Sequence, residues 1–118
     1  MVTLIANLST GKGTWGHVGR LIADGNFEKV LLITNEFGKE KFNNDSNSEM
    51  LIIDSRKPLL ELITDITTYL KENIKDTEVA LNLVSGSGKE HMAILSAIIK
   101  AGLGFRLYSL TTDGIKEI

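Results

Sequence analysis

The sequence predicts an α/β fold, a three-layer sandwich around a mainly parallel sheet of five or six strands. Two observations carry that prediction. Short apolar runs rich in strand formers alternate with segments whose apolar residues recur every three or four positions, the pattern of strands joined by crossover helices. The runs are also nearly continuous in apolar character rather than strictly alternating, as strands covered on both faces are.

The first strand is read over 2–8 (VTLIANL), and a short helix follows, in which Trp15, Val18, Leu21 and Ile22 form one stripe that stops at Gly25. The second strand spans 30–34 (VLLIT). The polar stretch 38–48 is the one long loop, with room for a helical turn at its start, and the third strand is read over 50–53. A long helix carries Leu59, Leu62, Ile63, Ile66, Tyr69, Leu70 and Ile74 on one stripe. Pro58 stands near its start, where the missing N–H costs least, with Asp54 or Ser55 as the expected cap. The fourth strand covers 79–84. The next helix is expected to bury Met92, Leu95, Ile98 and Ile99 and to stop at Gly102 in a left-handed conformation. The fifth strand covers 105–110, and 114–118 can add a short edge strand.

Length and composition bound the function. A chain of 118 residues makes a single domain, 1–118, with one core. No cysteine is present, which excludes disulfides, thiolate metal sites and a cysteine nucleophile, and fits a cytoplasmic location. A net charge of −2 argues against a surface built for duplex DNA or anionic membrane. No apolar run approaches the roughly 20 residues that cross a bilayer, and the first residues do not resemble a secretion signal.

Two glycine-rich loops carry the chemistry. The first, Ser9-Thr10-Gly11-Lys12-Gly13-Thr14, lies between the first strand and the first helix. Gly11, Gly13 and Gly16 match the dinucleotide pattern G-x-G-x-x-G in the strand–turn–helix setting it needs, and Glu36 past the second strand can serve as the ribose-binding acid. The plain alternative is a tight turn that needs glycine for geometry alone. The second loop, Ser85-Gly86-Ser87-Gly88-Lys89-Glu90-His91, follows the fourth strand. It is not a Walker ATPase loop, because Glu90 stands where the magnesium-binding hydroxyl belongs and Leu83 where a glycine is required. A Ser/Gly nest with a lysine at a helix start is still an anion site by chemistry, against the plain reading of a solvated loop.

Topology joins the loops. In a doubly wound, Rossmann-like sheet ordered 3-2-1-4-5(-6), strands one and four are neighbours whose helices leave on opposite faces, and ligands bind in the crevice between them. Lys12 and Lys89 therefore become partners for one polyanion. The remaining polar residues weigh less. His17 and His91 have no second ligand at metal spacing, so no metal site is expected, and no cofactor is assigned. Asn7, Asn82 and Thr34 are read as satisfying local backbone groups, and Trp15 as core or interface ahead of base stacking.

The segment Glu78-Val79-Ala80-Leu81-Asn82-Leu83-Val84-Ser85-Gly86-Ser87-Gly88-Lys89-Glu90-His91-Met92-Ala93 resembles the strand-four motif of the CRISPR-associated Rossmann fold (CARF) sensor domains. There an Asn-containing strand runs into a Ser/Thr-Gly-Gly-Thr/Ser-Lys-like turn and a Met-Ala helix. The stretch Ala101-Gly102-Leu103-Gly104-Phe105-Arg106-Leu107-Tyr108, the opening Gly/Thr loop and the strand-two ending Thr34-Asn35-Glu36 continue the resemblance. The order of Ser87 and Gly88 and the glycine-rich Gly11-Lys12-Gly13 depart from the usual pattern.

The resemblance implies a homodimer that binds a cyclic oligoadenylate, a messenger of antiviral defence, at its paired loops. It implies binding by Ser9, Thr10, Gly11, Lys12, Gly13, Thr14, Asn35, Ser85, Gly86, Ser87, Gly88, Lys89 and His91. It also implies that slow, metal-free cleavage of the ring would rest on Lys89, Ser87 and Thr10, the 2′-hydroxyl attacking the neighbouring phosphate. The Arg-x-x-x-x-His pattern of the RNase often attached to such sensors does not occur, so a stand-alone sensor, ligand sink or ring nuclease is expected. The alternatives are a nucleotide-binding Rossmann domain of an NAD(P)-dependent oxidoreductase, or an assembly domain whose loops bind nothing.

Overall fold

The computed structural model describes residues 2–9, 12–42 and 48–118. Strand β1 (Thr3–Leu8) leads through a 3-10 turn (Lys12–Thr14) into α1 (Trp15–Asp24). Then come β2 (Lys29–Thr34), α2 (Glu36–Lys41), β3 (Ser48–Ile52), α3 (Leu59–Asn73), β4 (Glu78–Asn82), α4 (Gly88–Lys100), β5 (Gly104–Thr111) and β6 (Gly114–Glu117). The sheet runs β3-β2-β1-β4-β5-β6, parallel throughout except for the β5–β6 hairpin. This is the α/β sandwich and strand order expected from the sequence. The stretch 38–48 is shorter as a loop than expected, because α2 takes its first part and Ser48 already belongs to β3; its residues 43–47 lie outside the described residues.

Alternation along β1 divides the core in two. Leu4, Ala6 and Leu8 point to one face and pack with Val18 and Leu21 of α1. Ile5 points to the other face, where Leu62, Ile63, Ile66 and Leu70 of α3 meet Ala93, Ile94, Ala97 and Ile98 of α4. The helices that follow β1 and β4 thus leave on opposite faces of two adjacent strands, which pair from Thr3↔Val79 to Ala6↔Asn82.

Two helix details differ from expectation. Neither Asp54 nor Ser55 caps α3. Pro58 occupies the cap position and its carbonyl accepts from the N–H groups of Glu61 and Leu62, while Asp54 accepts instead from the Arg56 N–H. The buried face of α4 is also not the expected stripe. Of its four residues only Ile98 is fully buried, whereas Met92 and Ile99 are 62% and 65% exposed. Ala93 and Ala97 explain the switch: two small residues on the Ile94/Ile98 side let α4 approach α3 and the sheet closely. Gly102 does take the left-handed conformation, at φ +78°. Among the described residues no helix is long and apolar enough to cross a membrane.

Candidate functional site

The divergence of α1 and α4 opens a cleft at the carboxyl ends of β1 and β4. The loops after those strands touch across it: the Ser9 N–H donates to Ser85 Oγ at 3.0 Å. A cleft of about 460 Å³ is lined there by Ser9, Gly13, Thr14, Val84, Ser85, Gly86 and Ser87. Six of those seven are residues singled out from sequence. Thr10 and Gly11 lie outside the described residues, and Lys12 enters only through its backbone in the 3-10 turn.

The second loop runs directly into the start of α4. A helix leaves its first N–H groups without intrahelical partners. Ser87 caps α4 in a reciprocal box: its Oγ accepts the Glu90 N–H at 3.2 Å, and Glu90 Oε1 accepts the Ser87 N–H at 2.8 Å. The Gly88 and Lys89 N–H groups have no partner among the described residues. They are the free donors beside the nest. Gly86 holds the turn at φ +107°, and a Cβ there would run into the amide nitrogen of Asn7. Gly88, by contrast, faces open space, so its role is not steric.

Several side chains stand elsewhere than the sequence suggests. Lys89 is not among the residues lining the cleft and donates through Nζ to the Ser55 carbonyl at 3.0 Å. His91 Nε2 lies 2.8 Å from the Ser85 carbonyl, so this nitrogen donates and braces the loop from behind. His17 belongs to the other face, where its Nε2 accepts the Leu110 N–H at 3.2 Å beside Asn82. Asn82 satisfies backbone as expected, accepting from Val84 N and donating to the Tyr108 carbonyl. Asn7 does not: its amide is fully buried and neither polar atom has a partner. Trp15 donates Nε1 to the Ser9 carbonyl at 2.7 Å and packs on Phe37 and Phe42 with ring centres 5.8 Å away. It is a core and loop-bracing residue.

Asn35 does not reach this cleft. Its Oδ1 caps α2 through the Gly38 N–H, and the residue lines a second cavity, of about 540 Å³, beyond the ends of β2 and β3. Glu36, Phe37, Asp54, Ser55, Arg56, Lys57 and Asp65 border it too. Arg56 pairs with Asp54 at 2.9 Å and Lys57 with Asp65 at 2.9 Å. The Arg56 guanidinium, by its hydrogen bond, holds the Asp54 carboxyl below the usual carboxylate range, and Asp65 raises Lys57 in the same way. The second cavity is larger, and four of its five charged side chains are already paired with one another. The smaller cleft ends at Ser87, next in the chain to the unpaired Gly88 and Lys89 N–H groups.

The loop Asp54–Lys57 escapes a motif-based reading because it matches no pattern. Its one sequence signal is its place after a parallel strand, on the ligand side of such sheets. The glycine fingerprint reads differently in three dimensions. Its third glycine should allow close helix–strand packing, yet a Cβ on Gly16 would meet nothing within 4 Å, and the same holds for Gly13. Among the described residues no group of three His, Asp or Glu side chains could hold a metal ion. No protein-family model matches the chain, and no curated protein matches it significantly.

Proposed function

We propose that this chain binds a cyclic oligoadenylate across a homodimer, as the CARF sensors it resembles do, with the phosphates at the Ser85–Lys89 loop. The observation that carries the reading is the junction of the two loops. Ser9 and Ser85 are bonded across the β1–β4 crevice, beside the two free N–H groups of Gly88 and Lys89. Backbone donors at a helix start, in a turn that a glycine keeps open, suit a phosphodiester oxygen.

Lys89 is exposed and held only by one carbonyl, so its ammonium can exchange Ser55 for a phosphate. Ser87 Oγ accepts from Glu90 and keeps its own proton to donate. In a slow cleavage the 2′-hydroxyl would attack the neighbouring phosphorus and the 5′-oxygen would leave with a proton, giving a 2′,3′-cyclic phosphate and a 5′-hydroxyl; these groups would orient the attack and stabilise charge on the phosphorane-like transition state, with Thr10 as the further hydroxyl. One observation favours the dinucleotide reading: Glu36 borders the larger cavity beyond β2, where a ribose would lie. The open surroundings of Gly13 and Gly16 weigh against it.

The experiment is titration with cyclic tetra- and hexa-adenylate and with NAD, read by thermal shift and calorimetry. A ligand at 100 times its Kd stabilises the fold by about 2.7 kcal/mol. Lys89→Ala is expected to weaken ring binding by roughly ten- to hundredfold, as a lost charge-assisted contact does. Lys71→Ala, an exposed lysine in the last turn of α3, should leave it unchanged. Stabilisation by NAD and by neither ring would replace this reading with the dinucleotide one.

A further inference from the structure

Strands β4 and β5 pair only as far as Leu81↔Leu107. Beyond that point they part, and side chains stand in for the ladder. Asn82 Nδ2 donates to the Tyr108 carbonyl at 2.8 Å, and His17 Nε2 accepts the Leu110 N–H at 3.2 Å. The same Nε2 lies 3.3 Å from Asn82 Nδ2. A backbone N–H can only donate, so this ring nitrogen carries the lone pair, and in the neutral ring the proton sits on Nδ1. Two N–H groups thus converge on one acceptor. Asn82 cannot adapt by turning its amide over. Its Oδ1 accepts the Val84 N–H at 3.2 Å, so a reversed amide would set oxygen against the Tyr108 carbonyl and N–H against the Val84 N–H. Val84 lines the cleft between the glycine-rich loops.

We propose that His17 is a proton-operated clasp. Neutral, it ties α1 to the ends of β4 and β5 and, through Asn82, steadies the Val84 wall of the cleft. Protonated, its Nε2–H faces the donors it had accepted, and the clasp opens. The ring is half-buried, so solvent protons have access to it. The charged and titratable groups around it belong to other contacts or to solvent. On α1, Arg20 and Asp24 pair with each other. On the sheet, Arg106 bridges Glu78 of β4 and Glu117 of β6, Tyr108 packs edge-on against Phe27, and Asp113 lies in the exposed turn after β5. Among the described residues none of these side chains bonds to the ring. The clasp works without any ligand, so its failure would leave the ring site proposed above untouched.

The test is urea denaturation of the full chain and of His17→Gln, whose amide oxygen accepts in place of Nε2 and takes up no proton. An unfolded histidine binds a proton near pH ~6.5, so the clasp stabilises the fold fully above that pH and loses this effect as the pH falls below it. The wild-type folding constant divided by that of the variant should drop about three- to tenfold between pH ~8 and pH ~5.5. Any cost of the variant that does not depend on pH cancels in that ratio, as do the carboxylates both proteins share. A constant ratio overturns the proposal. Nitrogen-15 spectra of the wild-type chain need no variant. At about pH 8 they should show the His17 proton on Nδ1, and the Val84 amide should shift as that ring titrates. A proton on Nε2, or a Val84 amide indifferent to the titration, overturns the proposal equally.

Discussion

Gly86 and Gly88 look interchangeable in the sequence, two glycines of one loop, yet their surroundings assign them different work. Gly86 sits at φ +107°, and its missing Cβ is the space taken by the Asn7 amide. An alanine there must adopt a disfavoured backbone conformation and displace a buried side chain at once. Gly86→Ala is therefore expected to lower unfolding stability by about 2–4 kcal/mol, measured by urea denaturation. Gly88 begins α4 with open space around it, so Gly88→Ala should change stability by less than about 0.5 kcal/mol. Equal losses in the two variants would mean that the loop depends on its overall flexibility rather than on the Gly86–Asn7 contact. The same pair of residues explains a limit of sequence reading. Nothing in VTLIANL announces that Asn7 will end beneath a turn almost eighty residues later, because the contact arises only when β1 and β4 become neighbours.

Elements were legible where periodicity had one solution. The stripe of α3 from Leu59 to Ile74 has a single apolar side, and Leu62, Ile63, Ile66, Leu70 and Ile74 are buried as the spacing predicts. The strand order followed from the alternation of runs and helices, and both glycine loops fell at one crevice because neighbouring parallel strands end together. Helix α4 had two solutions. Met92, Leu95 and Ile99 form one apolar side, and Ala93, Ile94, Ala97 and Ile98 another; spacing alone favours neither, and the bulkier side attracted the assignment. Close packing chose the side with the alanines. Ile94→Ala should then cost about 2–5 kcal/mol of unfolding stability, as truncation of a fully buried isoleucine does. Ile99→Ala, outside this core, should cost clearly less. Chemical denaturation of the two variants decides between the faces, and the reverse ranking would return α4 to the face that its bulkier residues suggest.

At the scale of the whole molecule, the exposed side of α4 leaves apolar surface without a partner. Met92 and Ile99 lie seven residues apart, two turns or about 10 Å along the helix, with Leu95 between them and a shallow groove of about 400 Å³ at their side. Helices in a parallel α/β sheet run opposite to the strands, so the α4 N-terminus and the ligand cleft share one end of the molecule. A two-fold axis parallel to α4 would set two copies of the helix side by side, bury both stripes, and bring both Ser85–Lys89 loops to the same end. That arrangement would suit the ring binding proposed above, since it presents each loop twice around one axis. The wild-type chain is thus expected to sediment as a dimer. Met92→Glu combined with Ile99→Glu should give a folded monomer, because both side chains are outside the core. Leu60→Glu, on the equally exposed start of α3, should leave the dimer intact. Ring affinity should fall with the dimer, since half of the contacts leave with the second copy. Sedimentation equilibrium with and without cyclic tetra-adenylate measures both effects. If the double variant keeps the wild-type mass and affinity, α4 is not the dimer seam and the two loops do not share a ligand across it.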